Sequence, residues 1–524
     1  MLARVMSLAT ATLPTDPVLL RAFATRLQAE LYAKTLHIEK LKAELALLKR
    51  ARYGRSSERI EQLELLIGEL EADEAEHEAK EHAAAPEKPR SASSPPRGRQ
   101  PLPAHLPRER VEHEPACACP ACGGTRLSRI GSDEREVLEY VPSHFKVVVH
   151  VRPKLSCRQC ETITQPPLPS LPIERGRPGP ALLAHVLVSK YCDHAPLYRQ
   201  SGIYARAGVE LDRSTLADWV GQCAALLAPL AEAISRHVKL GEALHADDTP
   251  VPVLDPGRQK TKTGRLWVLV RDERPCAGPA QPAVTYLYSP DRKGEHAQTL
   301  LDGCRGFLHA DGYAGFNRLY EPAERALLTE VGCWAHARRK LYDVHAATNS
   351  AIAREALERI GQLFAIEAEI NGHEPAHRLA SRRERSLPKL DGLKTFLERS
   401  LATISKKSSL AGAIRYSLAR WPALCRFTAD GRLEMTNNAA EQAIRPLALG
   451  RKNWLFAGSD NGGRRAATIY TITQTAILNG HDPEAYLADI LARIADHPIN
   501  RIDELLPWRW RPTGEAQAST EKAA

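Results

Sequence analysis

Three carboxylates and two cysteine pairs are the groups in this 524-residue chain whose types and spacing could do chemistry. Asp247 closes an apolar strand-like run in ALHADDTPVPVL, and Asp311 closes another in GFLHADGY. Glu441 falls in a helical stretch after Thr436 or Asn437 as cap. Carboxylates crowded at strand ends raise one another's pKa. Two Mg²⁺ ions ~3.5–4 Å apart would relieve that crowding and clamp the attacking and leaving oxygens of phosphodiester chemistry. Hard cations select carboxylate oxygens, so two Asp and one Glu are suitable ligand types. Spacing alone does not single these three out from 63 acidic residues.

The cysteines point to a different metal. Cys119-x-x-Cys122 and Cys157-x-x-Cys160 are separated by 34 residues containing the alternating runs EVLEYV and FKVVVHVRP. Two knuckles on hairpin ends can bring four thiolates into a tetrahedron around a structural Zn²⁺. Cys117 is a spare that could replace Cys119. Cys333-x-x-His336 has metal-ligand spacing, but the sequence offers it no second pair, so Cys333 and Trp334 read as packing residues. His336 and Arg338 are expected to approach a polyanion. His245, beside the carboxylates, reads as packed.

Basic residues cluster near these groups. Arg338, Arg339 and Lys340 share one helical string, and Arg445 lies one turn after Glu441. GRKNWLFAGSDNGGRRAA gathers Arg451, Lys452, Trp454, Arg464 and Arg465 around glycines. Cations interleaved with an aromatic suit a nucleic acid backbone and an unstacked base. The bland readings are a solvated helix face for 338–340 and a packed turn for Trp454.

These residues need elements to hold them. Residues 20–82 read as a coiled-coil or helical oligomerisation region. Its seam has Ala24, Leu31, Ile38 and Leu45 at a, and Leu27, Lys34, Leu41 and Leu48 at d. Gly54 bends the chain before a second helix, capped by Ser56 or Ser57 and running to about residue 81. Residues 83–107, rich in Pro, Ser and Arg, read as a disordered linker. The zinc module occupies 108–172. Residues 173–240 are helical, with helix-turn-helix grammar around Gly208 and a cap at Asp212 or Ser214; two ordinary packed helices explain the same pattern. Strand-like runs over 241–345 predict a mixed α/β sheet. Residues 346–430 are helical, 431–470 return to the core, and 471–512 form a helical tail.

Composition sets the bounds. Hydrophobic residues are 43% and charged residues 26%, an ordinary globular mix. No apolar run reaches the ~20 residues of a membrane span, and the first 20 residues do not read as a signal peptide. A net charge of +9 favours a polyanionic partner. Eleven cysteines without a leader suggest a reducing compartment, where short-spaced pairs are metal ligands before they are disulfides.

Beyond these patterns, ordered strings along residues 20–510 resemble the transposase of the insertion sequence 66 family. They are ARYGRSSER, PLPAHLPRERVEHEP, KYCDHAPLYRQ, LHADDTPVPVL, SPDRKGEH, ADGYAGFN, VGCWAHARRK, NNAAEQAIRPLALGRKNWLFAGSDNGG, and LNGHDPEAYL through HPINRIDELLPW. The resemblance implies a DDE transposase with an α/β ribonuclease-H-like catalytic core formed by 241–345 and 431–470. The helical block 346–430 would be an all-α insertion before the Glu-bearing helix. The family triad carries over as Asp247, Asp311 and Glu441, holding Mg²⁺ or Mn²⁺. Many relatives have Glu where this chain has Asp248, so Asp247 is taken as the ligand and Asp248 as a supporting or alternate group.

The implied reaction is metal-dependent cleavage at the element's ends, then strand transfer into target DNA. Implied partners are DNA ends, target DNA, a second copy of the chain and accessory proteins from the same element, with no membrane. The expected location is the bacterial cytoplasm, nucleoid-associated on DNA. Two other readings stay open. One is a ribonuclease-H-fold nuclease that cuts without joining. The other is a catalytically silent, zinc-containing DNA-binding protein.

Overall fold

The computed structural model describes residues 106–113 and 121–511, apart from 142–143, 168, 174–175, 256–259, 322–326 and 455; it also describes 16, 34, 102, 104 and 118. The heptad region and most of the linker therefore lie outside the described residues. Lys34, at a seam position, is helical and exposed.

The first layer is a small sheet. Strands β1 (Arg108–Glu112), β2 (Leu127–Val141), β3 (His144–Cys157) and β4 (Ile163–Thr164) surround β3, which pairs in parallel with β1 and antiparallel with β2 and β4. Period-two alternation drives it, since Phe145, Val147, Val149 and Val151 all point inward. The same face packs onto helix α1 (Pro180–Tyr191). Glu139 of β2 anchors the junction, its carboxylate accepting the Leu182 N–H at 2.8 Å.

Helices α2 (Leu197–Arg206) and α3 (Arg213–Lys239) follow, with the turn at Gly208 in the left-handed region (φ +79°). The helix-turn-helix grammar is present locally, but α3 is no free recognition helix. Leu216, Val220, Leu227, Leu230, Ile234 and Val238 bury it in the main core. Its length reflects packing against strand Ala283–Ser289 and the late helix Asp460–Leu478.

The second sheet holds β5 (Ala243–Val253), β6 (Lys262–Arg271), β7 (Ala283–Ser289), β8 (Gly306–Ala310) and β9 (Leu328–Gly332), with α4 (Gly294–Leu301) and the short α5 (Asn317–Tyr320) between the later strands. Its order is β7-β6-β5-β8-β9. β6 is antiparallel to both neighbours, while β5, β8 and β9 run parallel. β8 pairs only with residues 243–245 of β5. Beyond His245 the two strands part, so Pro250 and Pro252 need no amide toward β8.

A second core is mainly helical and begins before residue 346, taking in Val331 and Trp334. Helices α6 (Trp334–Thr348), α7 (Ala351–Glu369), α8 (Pro375–Ser381), α9 (Leu387–Thr403), α10 (Ser409–Ala419) and α11 (Trp421–Cys425) bury Leu341, Ile360, Leu363, Leu393, Leu397 and Ile414. Two buried arginines pin it. Arg382 grips Glu367 through two nitrogens at 2.9 and 2.6 Å and donates to the carbonyls of Phe427 and Leu433. Arg378 binds Glu434. These contacts fix the turn that returns the chain to α12 (Asn438–Trp454).

Helix α13 (Asp460–Leu478) lies against β7 and α3, and α14 (Pro483–Arg493) against α1. Residue 470, where the sequence reading divides core from tail, lies inside α13, with Ile469, Tyr470 and Ile472 all buried.

Candidate active site and zinc module

The tetrapeptide Leu-His-Ala-Asp occurs twice, at 244–247 in β5 and at 308–311 at the end of β8. The strands pair in register, Leu244 with Leu308 and His245 with His309. The two histidine rings stack at 4.1 Å in the interior. Asp247 and Asp311 each follow two residues later, where β5 and β8 separate. Asp311 follows the end of β8, but Asp247 lies in the middle of β5, which continues to Val253 against β6, so its expected place at a strand end is corrected. The repeat was a legible signal for this pairing, one that the reading of single strands missed.

Asp247 senses its neighbours strongly. Burial first, then the charges of Asp311, Asp248 and Glu441, pushes its carboxyl up to about 7, although the Asp248 N–H donates to it at 2.8 Å. Asp311 accepts the Tyr313 N–H at 2.9 Å, and its carbonyl accepts the Tyr416 hydroxyl. Glu441 sits in the first turn of α12 with its side chain 42% exposed. Asp247 thus senses the charges of Asp311 and Glu441, and carboxylate oxygens are the donors a hard divalent cation takes.

Asp248 is engaged elsewhere. Successive strand residues face opposite sides, and its carboxylate, 2% exposed, is held by Arg265 at 2.9 Å and Arg292 at 2.7 Å. Arg292 in turn lies 4.0 Å from the Tyr313 ring centroid. With both oxygens engaged by cations, Asp248 is a structural ion-pair centre.

Asn437 joins the third carboxylate to the first two. Its side-chain amide donates to the Ala246 carbonyl at 2.8 Å, and its amide oxygen lies 3.2 Å from His245 Nδ1. Its backbone N–H donates to Cys333 Sγ at 3.2 Å, and its carbonyl accepts the Glu441 N–H. His309 completes the network against the Leu244 carbonyl and the Glu434 backbone. Burial holds His245 at about 4 and His309 well below 6.5, so both rings are neutral. The asparagine that sequence reading offered as a helix cap thus ties α12 to β5.

Around Glu441 a cavity of about 330 Å³ is lined by His336, Arg338, Arg339, Tyr342 and Asp343. Arg338, Arg339 and Lys340 are exposed on α6, and Arg445 and Lys452 on α12. Arg451 is half-buried and donates to the Pro250 carbonyl. Trp454 packs partly against the main core. Arg464 is exposed, but Arg465 is 2% exposed, so the expectation of an Arg465–DNA contact is corrected. Its position on α13 turns it inward with Gly462 and Ala467.

In the small sheet, Cys122 Sγ lies 3.8 Å from Cys157 Sγ and 3.3 Å from Cys160 Sγ. Disulfide sulfurs would be about 2.05 Å apart. Tetrahedral zinc with ~2.3 Å bonds spaces its sulfurs by about 3.8 Å. The three cysteines fit a structural Zn²⁺; Cys119 and the spare Cys117 lie outside the described residues.

Comparison with known proteins decides the family. The family described as "Transposase IS66 family" matches residues 175–465. The chain belongs to the IS66 transposase family. Three companion domains match elsewhere. "Transposase C of IS166 homeodomain" covers 40–111, "zinc-finger binding domain of transposase IS66" covers 116–161, and "IS66 C-terminal element" covers 471–508. In this IS66 member, then, 173–240 joins the transposase domain instead of standing apart, as the burial of α3 requires. Two relatives come from Sinorhizobium fredii (strain NBRC 101917 / NGR234). Uncharacterized protein y4hP is 44% identical over 499 residues, spanning 92% of this chain and 90% of its own length. Uncharacterized protein y4qI is 39% identical over 503 residues, with 94% and 92% covered. No helix among the described residues is long and apolar enough to cross a membrane.

Proposed function

We propose that this chain is an active DDE transposase that cleaves phosphodiesters at its element's ends and joins them to target DNA. The observation that carries this reading is the in-register pairing of the two Leu-His-Ala-Asp strands, with Glu441 tied beside them through Asn437. The sheet order β7-β6-β5-β8-β9, with only β6 reversed, supports a ribonuclease-H-like core.

Asp247, Asp311 and Glu441 would hold Mg²⁺ or Mn²⁺, two ions in the full site. Bound cations supply activation of the attacking oxygen and charge stabilisation at the phosphorus. The chain's own residues do the rest. Asp247, whose carboxyl burial and neighbouring charges push up to about 7, would be held as the carboxylate by a bound cation. The neutral His245–His309 pair keeps positive charge out of the strand pair while Asn437 fixes the spacing of α12 from β5. Arg338, Arg339, Lys340 and Arg445 present cations beside Glu441 for the DNA backbone, with Arg451, Lys452, Trp454 and Arg464 extending that surface. Water attack at the element end leaves a 3′-hydroxyl, and that hydroxyl displaces a target 3′-oxygen in line, without a covalent enzyme intermediate.

The N-terminal heptad would pair two copies so that both ends are held together. The zinc module would support end binding. Accessory proteins of the element are a further partner class, and the bacterial cytoplasm is the setting this chemistry fits.

The test is a strand-transfer assay with full-length protein, a labelled end taken from DNA flanking its own reading frame, and Mg²⁺. Joined product from wild type, and none from Asp311→Asn or Glu441→Gln, supports the reading. Cleavage without joining moves it to a nuclease. DNA binding without cleavage moves it to a silent binding protein. Activity surviving in both variants would reject the triad.

A further inference from the structure

A second donor set of different chemistry lies beside the proposed Mg²⁺ triad. A sulfur of Cys333, a ring nitrogen of His336 and a carboxylate oxygen of Glu441 lie within 4.8 Å of one another. Cys333 holds the N-cap position of α6, His336 follows three residues later, and Glu441 comes from α12. The sequence offered Cys333-x-x-His336 without a partner. The fold supplies one from a hundred residues further along the chain.

Three observations favour a metal over simple packing. His336 Nδ1 is shielded from water and has no hydrogen-bond partner. It lies 3.6 Å from Glu441 Oε1, too far for a hydrogen bond but close to the spacing of two ligands on one ion with ~2.0–2.2 Å bonds. Cys333 Sγ, at the start of a helix, accepts the Asn437 N–H at 3.2 Å; burial pushes the free thiol up, and that N–H would help hold the sulfur as a thiolate once a metal is bound. The cavity against His336 and Glu441 gives access and room for a fourth ligand.

Ligand softness then selects the ion. Thiolate and imidazole bind Zn²⁺ far better than Mg²⁺, which prefers oxygen. A three-residue S, N, O set with one open position is the ligand count of an exchangeable zinc site. We propose that Cys333, His336 and Glu441 form a zinc site that, when filled, draws Glu441 away from the triad and makes Zn²⁺ an inhibitor of the DNA reaction. The inhibitory half rests on the transposase reading, whereas zinc binding stands on the donor set alone. As the Zn–S bond forms, the Cys333 proton passes to the buffer.

The experiment uses full-length protein equilibrated with micromolar Zn²⁺, dialysed and assayed for metal. Wild type is expected to hold about two Zn²⁺ per chain. Cys333→Ser and His336→Asn should each hold about one, retained by the cysteine module. Cys157→Ser should lose the other. With Co²⁺ in place of Zn²⁺, Cys333→Ser should lose part of the thiolate charge-transfer absorption. The Zn²⁺ concentration that halves Mg²⁺-dependent cleavage should rise at least about tenfold in Cys333→Ser. His336→Asn, on the partly exposed face of α6, decides the case if the serine variant fails to fold. Equal zinc content in wild type and both variants overturns the site. Loss of one zinc with unchanged inhibition overturns its inhibitory role. If wild type neither cleaves nor joins DNA, the transposase reading falls, and zinc stoichiometry still decides the site.

Discussion

At the residue scale, two adjacent aspartates have opposite fates because a strand alternates its faces. Asp247 is buried near Asp311 and Glu441, and its folded-state pKa, about 7, lies above its ordinary 3.8. Folding therefore binds a proton there. Its contribution to stability is full below pH 3.8 and is lost as pH rises through about 7. In buffer without Mg²⁺, Asp247→Asn should match wild-type Tm near pH 4 and exceed it near pH 8. A Tm difference that stays constant across that range would refute the crowding. Asp248 faces the other way, onto Arg265 and Arg292. Asp248→Asn should cost about 2–3 kcal/mol, because it leaves two arginines without their shared anion. That figure sits below the fully buried range since Arg292 is partly exposed. The Mg²⁺ dependence of cleavage should be unchanged, which denaturant unfolding and a metal titration together would check.

At the scale of elements, the decisive contact is the seat of α12 on β5. Asn437→Ala would strand the Ala246 carbonyl and one side of His245 in the interior. Each buried group left unmade costs about 1–3 kcal/mol, so a loss of about 2–3 kcal/mol is expected. The Mg²⁺ concentration for half-maximal cleavage should also rise, since Glu441 would no longer be held at its distance from Asp247. A variant with lower Tm but unchanged Mg²⁺ dependence would make Asn437 structural only. Much of this was legible from residue patterns. An apolar run ending in Asp marked β8, a similar run marked β5 although that strand continues past Asp247 to Val253, and the cysteine knuckles marked the small sheet. The helical block before Glu441 was equally plain from its periodicity. What stayed hidden was tertiary. Nothing local distinguishes a helix-turn-helix from α2 and α3, whose apolar stripe is buried by β7 and α13. Arg464 and Arg465 look alike in sequence, and only the rotation of α13 sends one outward and the other into the core. The link from Asn437 to His245 spans 192 residues, beyond the reach of any periodicity.

At the scale of the whole molecule, the main core already closes on itself. The small sheet, α1, α3 and the five-stranded sheet share one continuous apolar interior among the described residues. The proposed function asks that two element ends be held in one assembly. The heptad of residues 20–50 is the segment whose chemistry calls for a partner, because an apolar seam at period 3.5 is stable only when covered. Full-length Leu27→Glu/Leu41→Glu places like charges at two d positions of each strand and should oppose pairing. Light scattering should then report half the wild-type mass, while zinc content and Tm stay close to wild type because the catalytic core is untouched. Cleavage of a single end should persist, and joined products that need two ends should fall. If the double variant keeps the wild-type mass, the seam is covered within one chain and copies meet through another surface. If wild type is itself monomeric without DNA, the same variant tests whether ends bring the copies together. Paired-end complexes should then form with wild type and not with the variant.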